Sequence, residues 1–283
     1  MRVMLILSVL VLSACQHVSA PPPIAGEIRD LRNGRSLTPQ ELVAQLAKPS
    51  RLIVGEQHDN RDHHALQLWL LQSLGDQRPQ GSLLLEMLTP DQQPHVDEVR
   101  QASAPPADLP AALAWQEGWD WELYGPIVRF ALSQPYPLLS ANLTTAQVRA
   151  IYANPPILSG ARSNASSVKD ELLQQVRDSH CGLLPKTQMP AMLSVQQQRD
   201  RRMAERLLVA PEPSMLFAGA FHARKDVGVP IHLLDLGTPE APTVLMLAQQ
   251  GSEITADMAD YVWYTPAMPT PDYCAQMRKQ FGK

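Results

Sequence analysis

The sequence predicts an α/β protein: a mainly parallel sheet flanked by helices, with a helical insertion capping the C-terminal sheet edge. Three observations carry this. Short apolar runs at 51–56, 82–87, 137–142 and 214–222 alternate with longer stretches of helical length and period. The runs are apolar almost throughout, as in strands covered on both faces. Each also closes on polar groups, in turn Glu56 with His58, Glu86, Asn142 and His222. In parallel strands those ends share one edge, which is where open α/β sheets bind ligands.

Residues 1–14 read as a secretion signal. Arg2 gives a positive start, 3–12 is an apolar core too short to span a bilayer, and Leu12-Ser13-Ala14-Cys15 closes it. Small residues directly before a cysteine resemble a bacterial lipobox, so Cys15 is expected to carry lipid. Gln16, where an aspartate would retain the protein at the inner membrane, resembles outer-membrane sorting. The expected location is the outer membrane, lipid-anchored, periplasm-facing or at the surface. Residues 15–26, with Pro21-Pro22-Pro23, form an extended linker, and 27–283 form the folded domain. A formal net charge of −4 without a basic run argues against nucleic acid as a partner. No Cys-x-x-Cys pair exists, which excludes a cysteine zinc finger; in an oxidising periplasm Cys181 and Cys274 are expected to form a disulfide closing a long loop.

In chain order, 27–37 reads as a short strand and turn, with Asn33-Gly34 as the turn signal. Thr38, Pro39 and Glu41 make a capping box for the next helix, which ends before Pro49. The strand 51–56 turns at Gly55 and delivers Glu56 and His58. The amphipathic helix behind it contains Leu66, Trp69, Leu70 and Leu74, with Asp62 able to cap its start. After the strand 82–87 come a polar helix, 89–100, and a Pro/Ala-rich loop, 102–109. Trp115, Trp119, Trp121 and Tyr124 precede a helix at 126–132. Four such rings can face a planar ligand, but packing around the helix start is the preferred reading. The segment 144–208 shows three helical stretches (144–153, 167–179, 195–208) and no inner strand, and is expected to cap the sheet edge. His180 falls at a helix C-terminus, where a histidine favours the dipole and needs no other role. Beyond the strand 214–222, two further strands are expected at 231–236 and 243–248, then a tail at 260–266.

Two carboxylates, two imidazoles and an amide therefore converge at one edge. Such a set binds a divalent metal, runs acid–base catalysis, or holds a polar ligand. The repeated Gly-x-x-His, at 55–58 and 219–222, is the strongest single signal.

Several motifs together resemble the ChaN-type lipoproteins, from a superfamily that includes the Tiki metalloproteases, erythromycin-esterase-like hydrolases and TraB proteins. They are Gly55-Glu56-Gln57-His58-Asp59-Asn60 with His63-His64, Leu85-Glu86-Met87, Ala141-Asn142-Leu143, His180-Cys181-Gly182, Gln198-Arg199-Asp200, and Gly219-x-x-His222-x-x-x-Asp226-x-Gly228-Val229-Pro230. The likeness spans roughly residues 27–270. It implies a haem-binding lipoprotein of bacterial iron or haem uptake, haem held between two protomers, and an outer-membrane receptor as a further partner. Such haem handling uses a tyrosine phenolate on ferric iron with a histidine assisting. No motif transfers that tyrosine. Tyr124 and Tyr152, near or within the cap, are the candidates ahead of Tyr261 and Tyr264 in the tail; His58, His222, Glu86 and Asn142 are the other ligand candidates. The Tiki branch implies the alternative, a metal-dependent hydrolase with His58 and His222 as metal ligands and Glu56 or Glu86 as ligand or base.

Overall fold

The computed structural model describes residues 21–269 and 272–281. The signal segment, Cys15 and the first part of the linker lie outside the described residues. The chain opens with the hairpin β1 (Glu27–Asp30) and β2 (Arg35–Leu37), followed by α1 (Pro39–Leu46). Then come β3 (Arg51–Glu56), α2 (Arg61–Gly75), β4 (Ser82–Leu85), α3 (Gln93–Gln101), α4 (Leu109–Ala112), α5 (Trp121–Leu132) and β5 (Leu138–Ser140). The segment after β5 holds α6 (Thr145–Ala153), α7 (Ser166–Ser179) and α8 (Met189–Val209). The chain continues with β6 (Ser214–Gly219), α9 (Ala220–Ala223), α10 (Val229–Asp235), β7 (Thr243–Gln249), β8 (Tyr261–Thr265) and α11 (Tyr273–Phe281).

The strands form one sheet in the order β2-β1-β8-β7-β3-β6-β4-β5. Every pairing from β8 to β5 is parallel, and only β1 runs antiparallel to its neighbours. The fold class is therefore the expected one. The two-residue period of the strands sorts the core into two layers. Leu52, Val54, Leu85 and Phe217 face α1, α2, α3 and α5. Ile53, Leu84, Leu216 and Met246 face α8 and α10 on the other side. Helices on both faces explain why these strands are apolar at every position.

The structure differs from the sequence reading in several places. The run expected as a strand at 231–236 is the helix α10; Pro230 sits in its first turn and Gly228 caps it, which suits a helix start better than a strand. The tail is a strand, β8, inserted between β7 and β1. Helix α5 begins at Trp121, earlier than expected, because Asp120 caps it and Pro126 is carried inside the helix. Finally, α2 is capped by Asn60 and not by Asp62: the Asn60 side chain accepts from the backbone N–H groups of Asp62 and His63. Among the described residues no helix is long and apolar enough to cross a membrane.

The Asn60 cap is buried, so its loss is measurable. Asn60→Ala is expected to cost about 1 kcal/mol in urea unfolding, whereas Asp62→Ala changes stability by no more than a few tenths. Equal effects at the two positions would contradict the cap assignment.

Candidate functional site

The site is built where β3 and β6 end side by side, with Glu56 in register with Gly219. Two glycines make this possible, and each serves the other motif. A Cβ at Gly219 would lie 2.7 Å from Nε2 of His58, so only glycine leaves room for that ring. A Cβ at Gly55 would lie 2.7 Å from the Cβ of Ala223, so glycine there lets α9 settle on β3 with His222 in it. The paired Gly-x-x-His is thus a reciprocal packing device. His222 accordingly stands in a helical turn, one step beyond the strand in which it was expected.

Two carboxylate–imidazole units result. In the first, buried Glu56 uses one oxygen twice: Oε1 accepts from His58 Nδ1 at 2.7 Å and from the Tyr124 hydroxyl at 3.0 Å. Burial opposes charge on His58, but the hydrogen bond to Glu56 and the fields of Glu86, Glu56 and Asp59 outweigh it and raise its pKa to about 9. Around this unit, His64 Nε2 donates to the His58 carbonyl at 3.0 Å and His63 Nδ1 accepts from the Gln57 N–H at 3.0 Å. Burial, then the neighbouring His64, lower His63 to about 3, which keeps that acceptor neutral. Trp119 packs edge-on against both His58 and Tyr124, and Trp115 against Trp121 and Tyr124. The aromatic cluster is packing, and it braces the loop that carries His58.

In the second unit, Glu86 Oε2 accepts from the Gly219 N–H at 2.7 Å and Oε1 lies 3.4 Å from His222 Nε2. His222 Nδ1 is 2.6 Å from Oδ1 of Asp200, a fully buried residue of α8. Burial raises Asp200 to about 6, and the charge of His222 restrains the rise. Burial acts against charge on His222 too, but Glu86 and Asp200 override it and raise its pKa. For Glu86 the balance goes the other way: burial is outweighed by His222 and His58, and the carboxyl is held below its usual range.

Glu56, His58, Gly219 and His222 line a cavity of about 210 Å³, together with Phe221, Gln175 of α7 and Gln196 of α8. The same two glutamines also line a larger, more apolar groove of about 430 Å³ between α6, α7 and α8. Its walls include Val148, Val176, Met192 and Val195, and Tyr152, His180, Arg149 and Arg199 reach it as well.

The expected site residues thus separate. Glu56, His58, Glu86 and His222 come together as two carboxylate–imidazole pairs, with Glu56 Oε2 left without a hydrogen-bond partner. Among the described residues no three His, Cys, Asp or Glu side chains are placed to hold a metal ion, and the metal-ligand roles expected of those four find no support. Asn142 does not face the cavity; its amide donates to the Glu86 carbonyl at 3.0 Å and accepts from Leu143 N–H, which fixes the turn carrying Glu86. Tyr124 is buried against Glu56, and burial followed by that carboxylate pushes its ionisation far up, the opposite of what an iron-bound phenolate needs. Tyr261 is buried and accepts from Arg32, and Tyr264 packs against the core. Tyr152 is more than a third exposed. Cys181 and Cys274 form a disulfide that ties α11 to the turn after α7. Asp200 and His180 were not singled out as site residues from sequence; their motifs were visible, but a position within or at the end of a helix does not say what lies across from it.

The fold and site define a class: an α/β protein with two carboxylate–imidazole units at the C-terminal edge of a parallel sheet, beneath a three-helix groove. Within it, the chain belongs to the family described as haem-binding uptake, Tiki superfamily, ChaN, whose model matches residues 42–233. Among solved structures it is similar to ChaN of Campylobacter jejuni, described as binding haem cofacially, at 27% identity over 86% of this chain and 97% of that one, with a TM-score of 0.79. More distant are an erythromycin esterase in its open conformation (13% identity, 86% and 83% coverage, TM-score 0.46) and the toxin effector domain RRSP of Vibrio vulnificus (14%, 82% and 38%, TM-score 0.47). Likenesses that weak carry no argument about chemistry. No curated protein matches the sequence significantly.

The Glu56–His58 bond predicts the titration of His58. Its raised folded-state pKa means that its contribution to stability is fully present below pH 6.5 and is lost as the pH rises through about 9. The half-open ring leaves that contribution screened by solvent. Histidine NMR should show one ring titrating near 9, and Glu56→Gln should bring it down toward 6.5. An unchanged titration in that variant would refute the pairing.

Proposed function

We propose that the chain binds haem in the groove walled by α6, α7 and α8, with Tyr152 as the ferric-iron ligand, and that it serves haem or iron uptake. Family membership supports the haem, and one observation selects the residue: Tyr152 is the tyrosine that lines the groove, with no hydrogen-bond partner for its hydroxyl among the described residues. The surroundings fit an amphipathic macrocycle, with valine and methionine walls and cationic side chains around them. His180 suits the assisting role. Its Nδ1 donates to the Val176 carbonyl at 2.7 Å, which fixes the tautomer and leaves the Nε2 lone pair free. When bound, haem brings an iron whose ferric state a phenolate favours.

Cofacial haem binding by the C. jejuni protein supports a homodimer with haem between the protomers. The Leu12-Ser13-Ala14-Cys15 motif supports a lipid anchor on the outer membrane, where a haem receptor would be the exchange partner. A second reading, hydrolysis at the 210 Å³ cavity, is favoured by the buried Glu86 carboxylate, which does not itself line the cavity but lies 3.4 Å from His222 in its wall and feels the charge of His58. There Glu86 serves as base and His58 as acid.

Ferric haem titrated into the full chain in detergent should give a saturable spectrum with a tyrosinate charge-transfer band. Tyr152→Phe should remove the band and weaken binding at least about tenfold, the usual scale for a lost ligand interaction, while Tyr124→Phe keeps the band. An intact band in Tyr152→Phe would reject the assignment. Ester turnover abolished by Glu86→Gln in a folded protein would favour hydrolysis. Cys15→Ser should end incorporation of labelled palmitate and release the protein from the membrane fraction.

A further inference from the structure

We propose that the Cys181–Cys274 bridge is a redox latch: its reduction by a dithiol frees α11 and loosens both the turn that carries His180 into the groove and the loop that carries His58 into the cavity. The consequence for ligand binding rests on the haem reading above; the latch itself does not. Two consecutive residues of α11 reach the two sites. The Cys274 sulfur is bonded to Cys181, the residue after His180. The Tyr273 hydroxyl donates to the carboxylate of Asp59, the residue after His58. Helix α11 thus straps the end of α7 to the loop after β3, and Tyr273 also walls a cavity of about 370 Å³ with Gln57, Asp59 and Asn60.

The strap has little hold of its own. None of residues 273–279 is buried, so the bonds of its first turn, and not apolar packing, keep it in place. The bridge joins positions 93 residues apart, and without it no local stretch of chain returns α11 to α7. The Cys181 backbone is left-handed, with φ +55°, a conformation that residues with a Cβ rarely adopt. In that turn the N–H groups of Cys181 and Gly182 close α7 on the carbonyls of Asp178 and Arg177, at 2.9 and 2.8 Å. Ser179 and His180 lie inside it and line the groove. The bridge helps to hold this turn, and cutting it lets α7 fray back through His180, whose ring the Val176 carbonyl places.

Both cysteines are partly exposed, so a reductant reaches them, and exposed bridges are the labile and regulatory kind. One thiolate of the dithiol attacks a bridge sulfur, the S–S bond breaks, and the other sulfur leaves as a thiolate that takes up a proton. The second thiol of the reductant then displaces the mixed disulfide. The chain gains two thiols and the reductant becomes a disulfide, so two electrons and two protons pass between them. A purely structural bridge resists such a dithiol while the chain is folded. Once cut, it lowers stability everywhere and does not single out the two sites.

Reduced thioredoxin is the probe, applied to the full chain in detergent and followed by thiol labelling. It should open the bridge while far-UV circular dichroism stays unchanged. Amide exchange at 57–60 and at 178–182 should be at least about tenfold faster in the reduced chain, with β3 and β6 unaltered. After thioredoxin is removed without air, ferric haem should bind the reduced chain about tenfold more weakly, a usual size for coupling between two sites. The Cys181→Ser/Cys274→Ser variant, with no thiol to ligate iron, should show the same loss; if it does not fold, the reduced wild type carries the test. A bridge that resists thioredoxin, exchange that rises everywhere, or exchange unchanged at either segment overturns the latch. Equal haem affinity in the oxidised and reduced chains overturns its consequence for binding. An oxidised wild-type chain that binds no haem overturns the haem reading, and the exchange data then judge the latch alone.

Discussion

At the centre of the sheet β3 and β6 run side by side, and each presents a glycine on which the other strand's continuation rests. His58, two residues past β3, lies against Gly219, and α9, directly past β6, lies against Gly55. Neither glycine is needed for a left-handed backbone; both are needed for space. With a methyl group at either position, one histidine would be displaced, and the separation between the two carboxylate–imidazole units would change. Everything polar at this edge depends on that mutual contact.

Once the units are this close, burial dictates their chemistry. Glu86 and Asp200 are shielded from water, and a buried carboxylate survives as an anion only beside a cation or a set of donors. His222 answers to both, and Gly219 N–H adds to Glu86. Glu56 is answered by His58 and Tyr124. The result is a polar cluster satisfied largely within itself. Among the described residues no three His, Cys, Asp or Glu side chains are placed to hold a metal ion, and Glu56 Oε2 and Asp200 Oδ2 are left without a hydrogen-bond partner.

The groove above has the opposite character. Its walls are apolar, and Tyr152, His180, Arg149 and Arg199 line it as well. Gln175 and Gln196 belong to both linings, so the apolar groove and the polar cavity adjoin through two neutral amides.

The parallel sheet was legible because runs such as 51–56 and 82–87 are apolar on both faces, and the polar strand ends were legible with it. The short run at 231–236 has too few residues to display a period, so its helical state depends on Gly228 and Pro230 and on what packs around it. Tyr261 to Thr265 is rich in strand formers, but its place between β7 and β1 is a matter of long-range pairing. In the same way, the sequence by itself determined that Glu56, His58, Glu86 and His222 reach the edge, since strand period and turn residues are local. Only the tertiary structure decided their partners: that Glu56 takes His58 and Tyr124, that Asp200 reaches across from α8 to His222, and that Tyr152 lines the groove. Hydrogen bonds and ion pairs act over a few ångströms, and residues far apart in the chain come that close only when the layers pack.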